Sequence, residues 1–190
     1  MNAHDEFVYS NDLCSAFITA IVESFAGYHS TKWLGRTAVQ KLTYFAKVLG
    51  VPIPCSFGIY TYGPYSDSVS FTVESLLADE VIIDQSRKPE EYSSYRPGPN
   101  SAQLLRLFDP HVQQHRSTID RVVKALGGFK PSDLELIATL HFIAQKHEKL
   151  FGRKPAKADV IHEFKLIKED KFSDQEIQSW YDALVKAGLI

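Results

Sequence analysis

The sequence predicts a mostly α-helical α+β fold: a winged-helix-like core with a short strand and a β-hairpin, plus a C-terminal helical subdomain. Most of the chain repeats apolar residues at helical spacing. Two short stretches, residues 57–62 and 81–83, are instead rich in aromatic and β-branched residues, which favours strands. Together they give the order helix, strand, helix, hairpin that a winged helix shows.

Three helices are predicted in the first half of the chain. The first begins near Asn11 or Asp12, because either side chain can accept a hydrogen bond from the first turn. The second spans residues 36–49 and ends at a glycine followed by two prolines. The third spans residues 67–78, with Ser66 as its cap.

The strands are expected to flank the third helix. Residues 57–62 form the first strand, and Gly63-Pro64 is a turn signal. Residues 81–83 and 93–96 pair as a hairpin across the polar loop 84–92.

The second half of the chain is predicted to be helical throughout. Asp109 caps a helix that has Pro110 at its first position and continues to residue 126. Gly127-Gly128 then marks a boundary between a domain of residues 1–126 and a helical subdomain of residues 127–190.

Two capping-box patterns open helices in that subdomain. They are Ser132-x-x-Glu135 and Ser173-x-x-Glu176. The helix after the first pattern is apolar on several faces, so we expect it to be buried at the centre. A further helix is predicted over residues 156–168, between the two helices that these patterns open.

Composition is that of an ordinary globular protein and suggests no special partner. Of 190 residues, 44% are hydrophobic and 23% charged, and the net charge is −2. Cys14 and Cys55 form no CxxC pair, so we expect a reduced, cytoplasmic protein. The acidic start does not resemble a signal peptide, and no apolar run approaches the roughly 20 residues of a membrane span.

No pattern of catalytic or metal-binding residues stands out. His111 and His115 have the spacing of two zinc ligands on a helix, but no third ligand is recognisable. His141 falls on an apolar helical face, which is typical of a core histidine with a hydrogen-bond partner. The Gly-x-Ser-x-Gly motif of acyl transfer is missing from the sequence. We therefore expect no catalytic residues, no metal and no cofactor.

Two neighbouring motifs carry a family resemblance. Gln40-Lys41-Leu42 with Tyr44-Phe45 is followed by Tyr62-Gly63-Pro64, then by a helix and Val81-Ile82. In this order and spacing the motifs resemble the Panacea domain, the SocA-like antitoxin domain of bacteria and phages, in a long form with a C-terminal helical extension. The resemblance implies an antitoxin without catalytic residues. Such a protein neutralises a toxin by binding it, or delivers it to a protease such as an AAA+ protease.

The tyrosines of these motifs suggest where a partner binds. Tyrosine is enriched at protein interfaces because it combines a large apolar area with a polar tip. The predicted partner-binding residues are Lys41, Tyr44, Tyr62, Gly63, Pro64, Tyr65 and Glu74. The acidic segment 67–91 is expected to dock a basic surface of the toxin. In the structural alternative Gly63-Pro64 only sets the turn, and Lys41 holds strand to helix by pairing with a carboxylate.

The alternative function is that of a winged-helix DNA-binding regulator. In such a fold the helix before the hairpin enters the major groove. Here residues 48–86 contain no Lys or Arg, so this surface would repel the phosphates that drive affinity. Residues 146–171 carry a net charge of +3, from eight Lys or Arg against five Asp or Glu, as a solvated helical surface often does. We therefore expect no nucleic-acid partner. An enzyme, the third possibility, would need a polar pocket that the sequence does not reveal.

Overall fold

A computed structural model describes residues 7–86 and 92–190 and confirms the mostly helical α+β fold. It is 64% helical, with eight helices and two small antiparallel hairpins among the described residues. The elements in chain order are α1 Leu13–Tyr28, α2 Arg36–Val48, β1 Gly58–Tyr60, β2 Gly63–Tyr65, α3 Asp67–Ala78, β3 Ile82–Asp84, β4 Tyr95–Pro97, α4 Ser101–Leu107, α5 Asp109–Leu126, α6 Pro131–Phe151, α7 Lys157–Lys168, a 3₁₀ turn Glu169–Lys171, and α8 Asp174–Lys186. No helix in the described part of the chain is both long enough and apolar enough to cross a membrane.

The chain forms two compact units. The first contains the described residues up to 57 and those of the range 65–129. The second contains residues 58–64 and 130–190. The sequence-based division kept all of residues 1–126 together, whereas here the short segment 58–64 is grouped with the C-terminal helices.

Helix α1 is the buried centre of the first unit and packs against α2, α3 and α5. Asp12 caps it, as predicted, by accepting a hydrogen bond of 2.7 Å from the Ser15 backbone N–H. Phe17, Ile21 and Phe25 repeat every four residues and are fully buried. This apolar stripe places α1 inside rather than on the surface.

Helix α3 and the hairpin after it also follow the prediction. Ser66 caps α3, accepting from the Val69 N–H at 3.4 Å. Strands β3 and β4 pair antiparallel, with Ile82 opposite Pro97 and Asp84 opposite Tyr95. Residues 87–91 of the predicted loop lie outside the described residues. The order of helix, strand, helix and hairpin is therefore present, except that the single strand predicted over residues 57–62 is a two-stranded hairpin, β1–β2. The winged-helix assignment itself stays a prediction.

The turn before α3 is not where the sequence predicts it. Gly63 and Pro64 belong to strand β2, and the turn is formed by Thr61 and Tyr62. Gly63 has φ +83°, a left-handed conformation that glycine adopts without steric cost. It therefore lets the chain reverse immediately after Tyr62. The Gly-Pro signal therefore located the turn to within two residues but did not identify the two residues at its centre.

Helix α4 was not predicted, and the start of α5 differs from the prediction. α4 has only seven residues, with Ser101, Leu104 and Leu105 buried. Two helical turns are too short to show a clear period in the sequence. The N-cap of α5 is Phe108, so that Asp109 is already the first helical residue.

The second unit is built around α6. Its residues 134–141 are all buried, which confirms the predicted central helix. The predicted Ser132–Glu135 capping box is wrong. Because Pro131 occupies the first helical position, Lys130 is the N-cap and Ser132 lies inside the helix. The Ser173–Glu176 box is confirmed at the start of α8, with Glu176 accepting from the Ser173 N–H at 2.9 Å.

Candidate protein-binding site

Lys41 and Tyr44 of the first motif lie in the interior of the first unit. Lys41 is 1% exposed. The Tyr44 ring is also buried and packs edge-on against Phe57, with 5.3 Å between ring centroids. Burial raises the pKa of the Tyr44 phenol above its ordinary value. Neither side chain is accessible to a partner in this conformation, so the structure does not present them as contact residues of the predicted binding site.

Gln40 gives the same motif a clear structural role. Its side-chain amide donates to the Ser66 carbonyl, and its carbonyl oxygen accepts from the Ser66 N–H, both at 3.0 Å. Both residues are buried. A side chain that satisfies both backbone groups of one residue acts as a substitute strand partner. Gln40 therefore attaches the exit of β2 to helix α2.

The second motif forms the tip of the β1–β2 hairpin. Tyr60 and Tyr62 are 53% and 60% exposed. Gly63 and Pro64 are buried, and Tyr65 is half-buried. Of the predicted partner-binding residues in this motif, Tyr62 is thus the one presented to solvent, and Tyr60 joins it.

A buried ion cluster in the second unit holds this tip. The Glu135 carboxylate accepts from Lys168 at 2.8 Å and from Lys171 at 2.9 and 2.8 Å. The Glu135 and Lys168 side chains are 4% and 2% exposed, against 43% for Lys171. The Lys168 ammonium also donates to the Thr61 carbonyl at 2.5 Å. The buried Lys168 ammonium is therefore hydrogen-bonded both to a carboxylate and to the backbone of the tip.

Lys171 links the cluster to the exposed ring of the tip. Its ammonium lies 5.0 Å from the centroid of the Tyr62 ring, within the range of a cation–π interaction. Tyr62 is thus exposed and at the same time restrained.

Sequence reasoning missed this cluster. Glu135 matched a capping-box spacing, and Lys168 and Lys171 counted only as part of a basic surface. The available signal was the position of Glu135 between Leu134, Leu136 and Ile137, because an ionisable residue on a buried helix needs a charged partner.

The acidic residues of the first unit divide into two groups. Asp79 accepts from the backbone N–H groups of Tyr9 and Ser10 at 2.9 and 2.7 Å. Burial favours the neutral form of Asp84, but hydrogen bonds from the backbone of Ser94 and Ser86 outweigh it and hold its pKa below the ordinary value. These two carboxylates are therefore occupied within the fold.

The remaining acidic side chains point outward. Asp67 and Glu74 are exposed on α3, and Glu80 is exposed just after it. Phe71, also on α3, is two-thirds exposed. The predicted docking surface is thus narrower than the whole segment 67–91; its members Glu90 and Glu91 lie outside the described residues.

His111 and His115, considered as metal ligands, both lie on α5 in the first unit, whereas His141 lies on α6 in the second. His115 packs edge-on against Phe17, with 5.8 Å between ring centroids. His141 is fully buried, as predicted, and burial lowers its pKa to about 4 although a hydrogen bond with the Leu189 backbone opposes the shift. Within residues 7–86 and 92–190, no three His, Cys, Asp or Glu side chains are grouped so as to hold a metal ion.

Comparison with known proteins finds two distant relatives, and no family model matches the chain. This chain is 27% identical over 128 residues to the uncharacterized protein YwgA of Bacillus subtilis, and the match covers 64% of this chain and 75% of that protein. It is 28% identical over 116 residues to a DNA ADP-ribosyl glycohydrolase of Thermus aquaticus, covering 60% of this chain. The chain spans only 31% of the length of the glycohydrolase. The Panacea resemblance stays a prediction.

Proposed function

We propose that this protein acts by binding another protein, as an antitoxin-like module of a toxin–antitoxin or phage-related system in the cytoplasm. It neutralises a toxin directly or delivers it to a protease. The observation that carries the proposal is the pair of exposed tyrosines, Tyr60 and Tyr62, on a tip anchored by the buried Glu135–Lys168 pair.

The anchoring matters because binding has an entropic cost. A loop that becomes ordered only in the complex loses part of the interaction free energy to that ordering. Here the Thr61 carbonyl is already fixed by Lys168, and the Tyr62 ring lies against Lys171. Rigid aromatic side chains with two rotatable bonds are the typical anchors of protein interfaces.

The name of the Thermus aquaticus relative raises the question of catalysis. That protein is named for hydrolysis of ADP-ribosylated DNA, and this chain matches 31% of its length. The residues of this chain supply no recognisable catalytic set. We therefore propose a binding role for this chain.

Co-expression with the product of the neighbouring gene tests the proposal. The expected result is rescue of growth together with co-purification of a stoichiometric complex. Tyr62→Ala should weaken that complex at least tenfold, as loss of an interface anchor does. Tyr92→Ala, which removes an exposed tyrosine of the first unit, is the matched control and should leave affinity unchanged. A neighbour that is neither toxic nor bound would overturn the proposal.

The acidic face of α3 defines a second test. If the toxin presents a basic surface, Asp67→Lys with Glu74→Lys should weaken binding at low salt and mainly reduce the association rate. Asp79 is unsuitable for such a test because its carboxylate is held by the Tyr9 and Ser10 backbone. Unchanged affinity of the double variant at low salt would exclude this face.

DNA binding is the second candidate function, because one relative is named a DNA ADP-ribosyl glycohydrolase. The charges argue against it. Within residues 146–171, all described, five of the eight basic side chains are already paired with carboxylates. Fluorescence anisotropy with duplex DNA across a salt series should give no salt-dependent binding. A steep linear fall of log affinity with log salt would instead establish phosphate contacts.

A further inference from the structure

The two cysteines of the chain meet inside the first unit. Cys14, near the start of α1, and Cys55, which precedes β1, are 41 positions apart in sequence, yet their sulfur atoms are 2.9 Å apart. Both side chains are buried. A disulfide has an S–S distance of about 2.05 Å, so the sulfurs need to approach by roughly 0.9 Å to bond.

We propose that Cys14 and Cys55 are a redox modification site, forming a reversible intramolecular disulfide when the protein meets hydrogen peroxide. The pair is the chain's whole complement of cysteine, so the two thiols have no other internal partner. The proposal does not depend on the binding function assigned above.

The surroundings distinguish the two sulfurs. A hydrogen bond from the Cys14 thiol lowers the pKa of Cys55, and the Lys47 ammonium lowers it further, while burial and Asp12 oppose the shift. The same contact with Cys55, together with burial and the Asp12 charge, raises the pKa of Cys14, although the Thr72 hydroxyl opposes it. Because the thiolate is the nucleophile, Cys55 is the sulfur that reacts first.

The chemistry then proceeds in two displacements. The Cys55 thiolate attacks one oxygen of hydrogen peroxide, an S–O bond forms, the O–O bond breaks, and the released hydroxide takes a proton to become water. Cys14 loses its proton, and its sulfur attacks the Cys55 sulfur; the S–O bond breaks, and the hydroxyl leaves as a second water. Two thiols and one peroxide thus give one disulfide and two waters.

The bond would join two parts of the first unit that sequence keeps far apart. Cys55 lies three positions before β1, and the Ser66 hydroxyl, just after β2, also contacts its thiol. Gln40 holds the backbone of that same serine. Oxidation therefore ties the segment around Cys55 to helix α1 within the first unit.

Thiol labelling tests the proposal on the full chain. The reduced, folded protein is treated with hydrogen peroxide or, separately, with diamide, then denatured and labelled with N-ethylmaleimide. The oxidised protein should carry no N-ethylmaleimide, and its intact mass should be two hydrogen atoms below that of the unlabelled reduced protein. Treatment with dithiothreitol before labelling should restore labelling of both cysteines. A peptide map should contain Cys14 linked to Cys55. Retention of both labels, disulfide-linked dimers, or sulfinic acid without a cross-link would overturn the proposal.

Single variants and a melting curve check the order of reaction. In Cys14→Ser, dimedone should trap a sulfenic acid on Cys55, whereas in Cys55→Ser the remaining Cys14 should stay unmodified. Modification of Cys14 in the second variant would overturn the assigned order. The oxidised wild-type protein should melt roughly 5–15 °C above the reduced form, because the bond closes a loop of about 40 residues. Cys14→Ser should show no such rise after oxidation.

Discussion

Replacing Glu135 by glutamine should remove the anion that makes burial of Lys168 tolerable. The substitution keeps the volume and one hydrogen-bonding oxygen, so it creates no cavity. Lys168 would remain 2% exposed, with only neutral partners, the Thr61 carbonyl and the new amide. Breaking a buried ion pair from one side typically costs about 3–5 kcal/mol, because the remaining charge is left without its counterion. We expect a loss of that size in the free energy of unfolding.

Two control variants separate this mechanism from a general effect of substitution. Lys171→Ala removes the partly exposed member of the cluster, 43% exposed, and should cost less than about 1 kcal/mol. Glu135→Leu combined with Lys168→Met removes both buried charges and should lie much closer to the wild type than Glu135→Gln does, since apolar replacement of a buried pair is often neutral.

Urea denaturation and hydrogen exchange provide the measurements. The midpoints give the order of stability, and exchange at the amides of residues 58–64 reports on the hairpin tip. Glu135→Gln should speed exchange there. A loss below about 1 kcal/mol for this variant, or a double variant less stable than the single one, would refute the reasoning.

Two further predictions concern buried polar side chains. The His141 pKa falls from 6.5 to about 4 on folding, so between these values the unfolded chain binds the proton and the native one does not. Stability should therefore be full above pH 6.5 and fall by up to about 3 kcal/mol as pH drops towards 4. Urea titrations at several pH values should show this slope, and His141→Gln should reduce it; an equal slope in both proteins would contradict the assignment. Gln40→Leu leaves the buried Ser66 N–H and carbonyl without their partner and should cost about 2–4 kcal/mol in the same assay. The exposed control Gln113→Leu should stay within about 0.5 kcal/mol, and a similarly small effect at Gln40 would show that water replaces its two bonds.

Much of the fold could be predicted because the signals are local. Ser66 was predicted to cap α3, and Ser173 and Glu176 to open α8; each does so with groups three residues apart. Such hydrogen bonds form within one helical turn, so the number of residues between the two groups fixes the distance between them. The same reasoning failed at Ser132 and Glu135, where the spacing is present but Pro131 starts the helix earlier.

The candidate site was predictable only in part. Tyr62 was singled out from its motif and is exposed at the hairpin tip. Lys41 and Tyr44 come from the neighbouring motif but are buried, because periodicity places several faces of α2 inward and does not say which neighbour covers each face. A motif therefore marks residues that matter without separating those that make contact from those that position others.

By itself, the sequence determined the helical character of the chain, the caps of α1, α3 and α8, and the approximate position of strands β3 and β4, because these depend on residues close together along the chain. Only the tertiary structure decided which distant groups meet. Glu135 pairs with Lys168 across 33 positions, and Cys14 lies against Cys55 across 41. The physical reason is that such contacts are set by how packed elements approach one another, and no local pattern of residues encodes that approach. The Glu135–Lys168 pair that anchors the hairpin tip and the Cys14–Cys55 pair are both contacts of this long-range type.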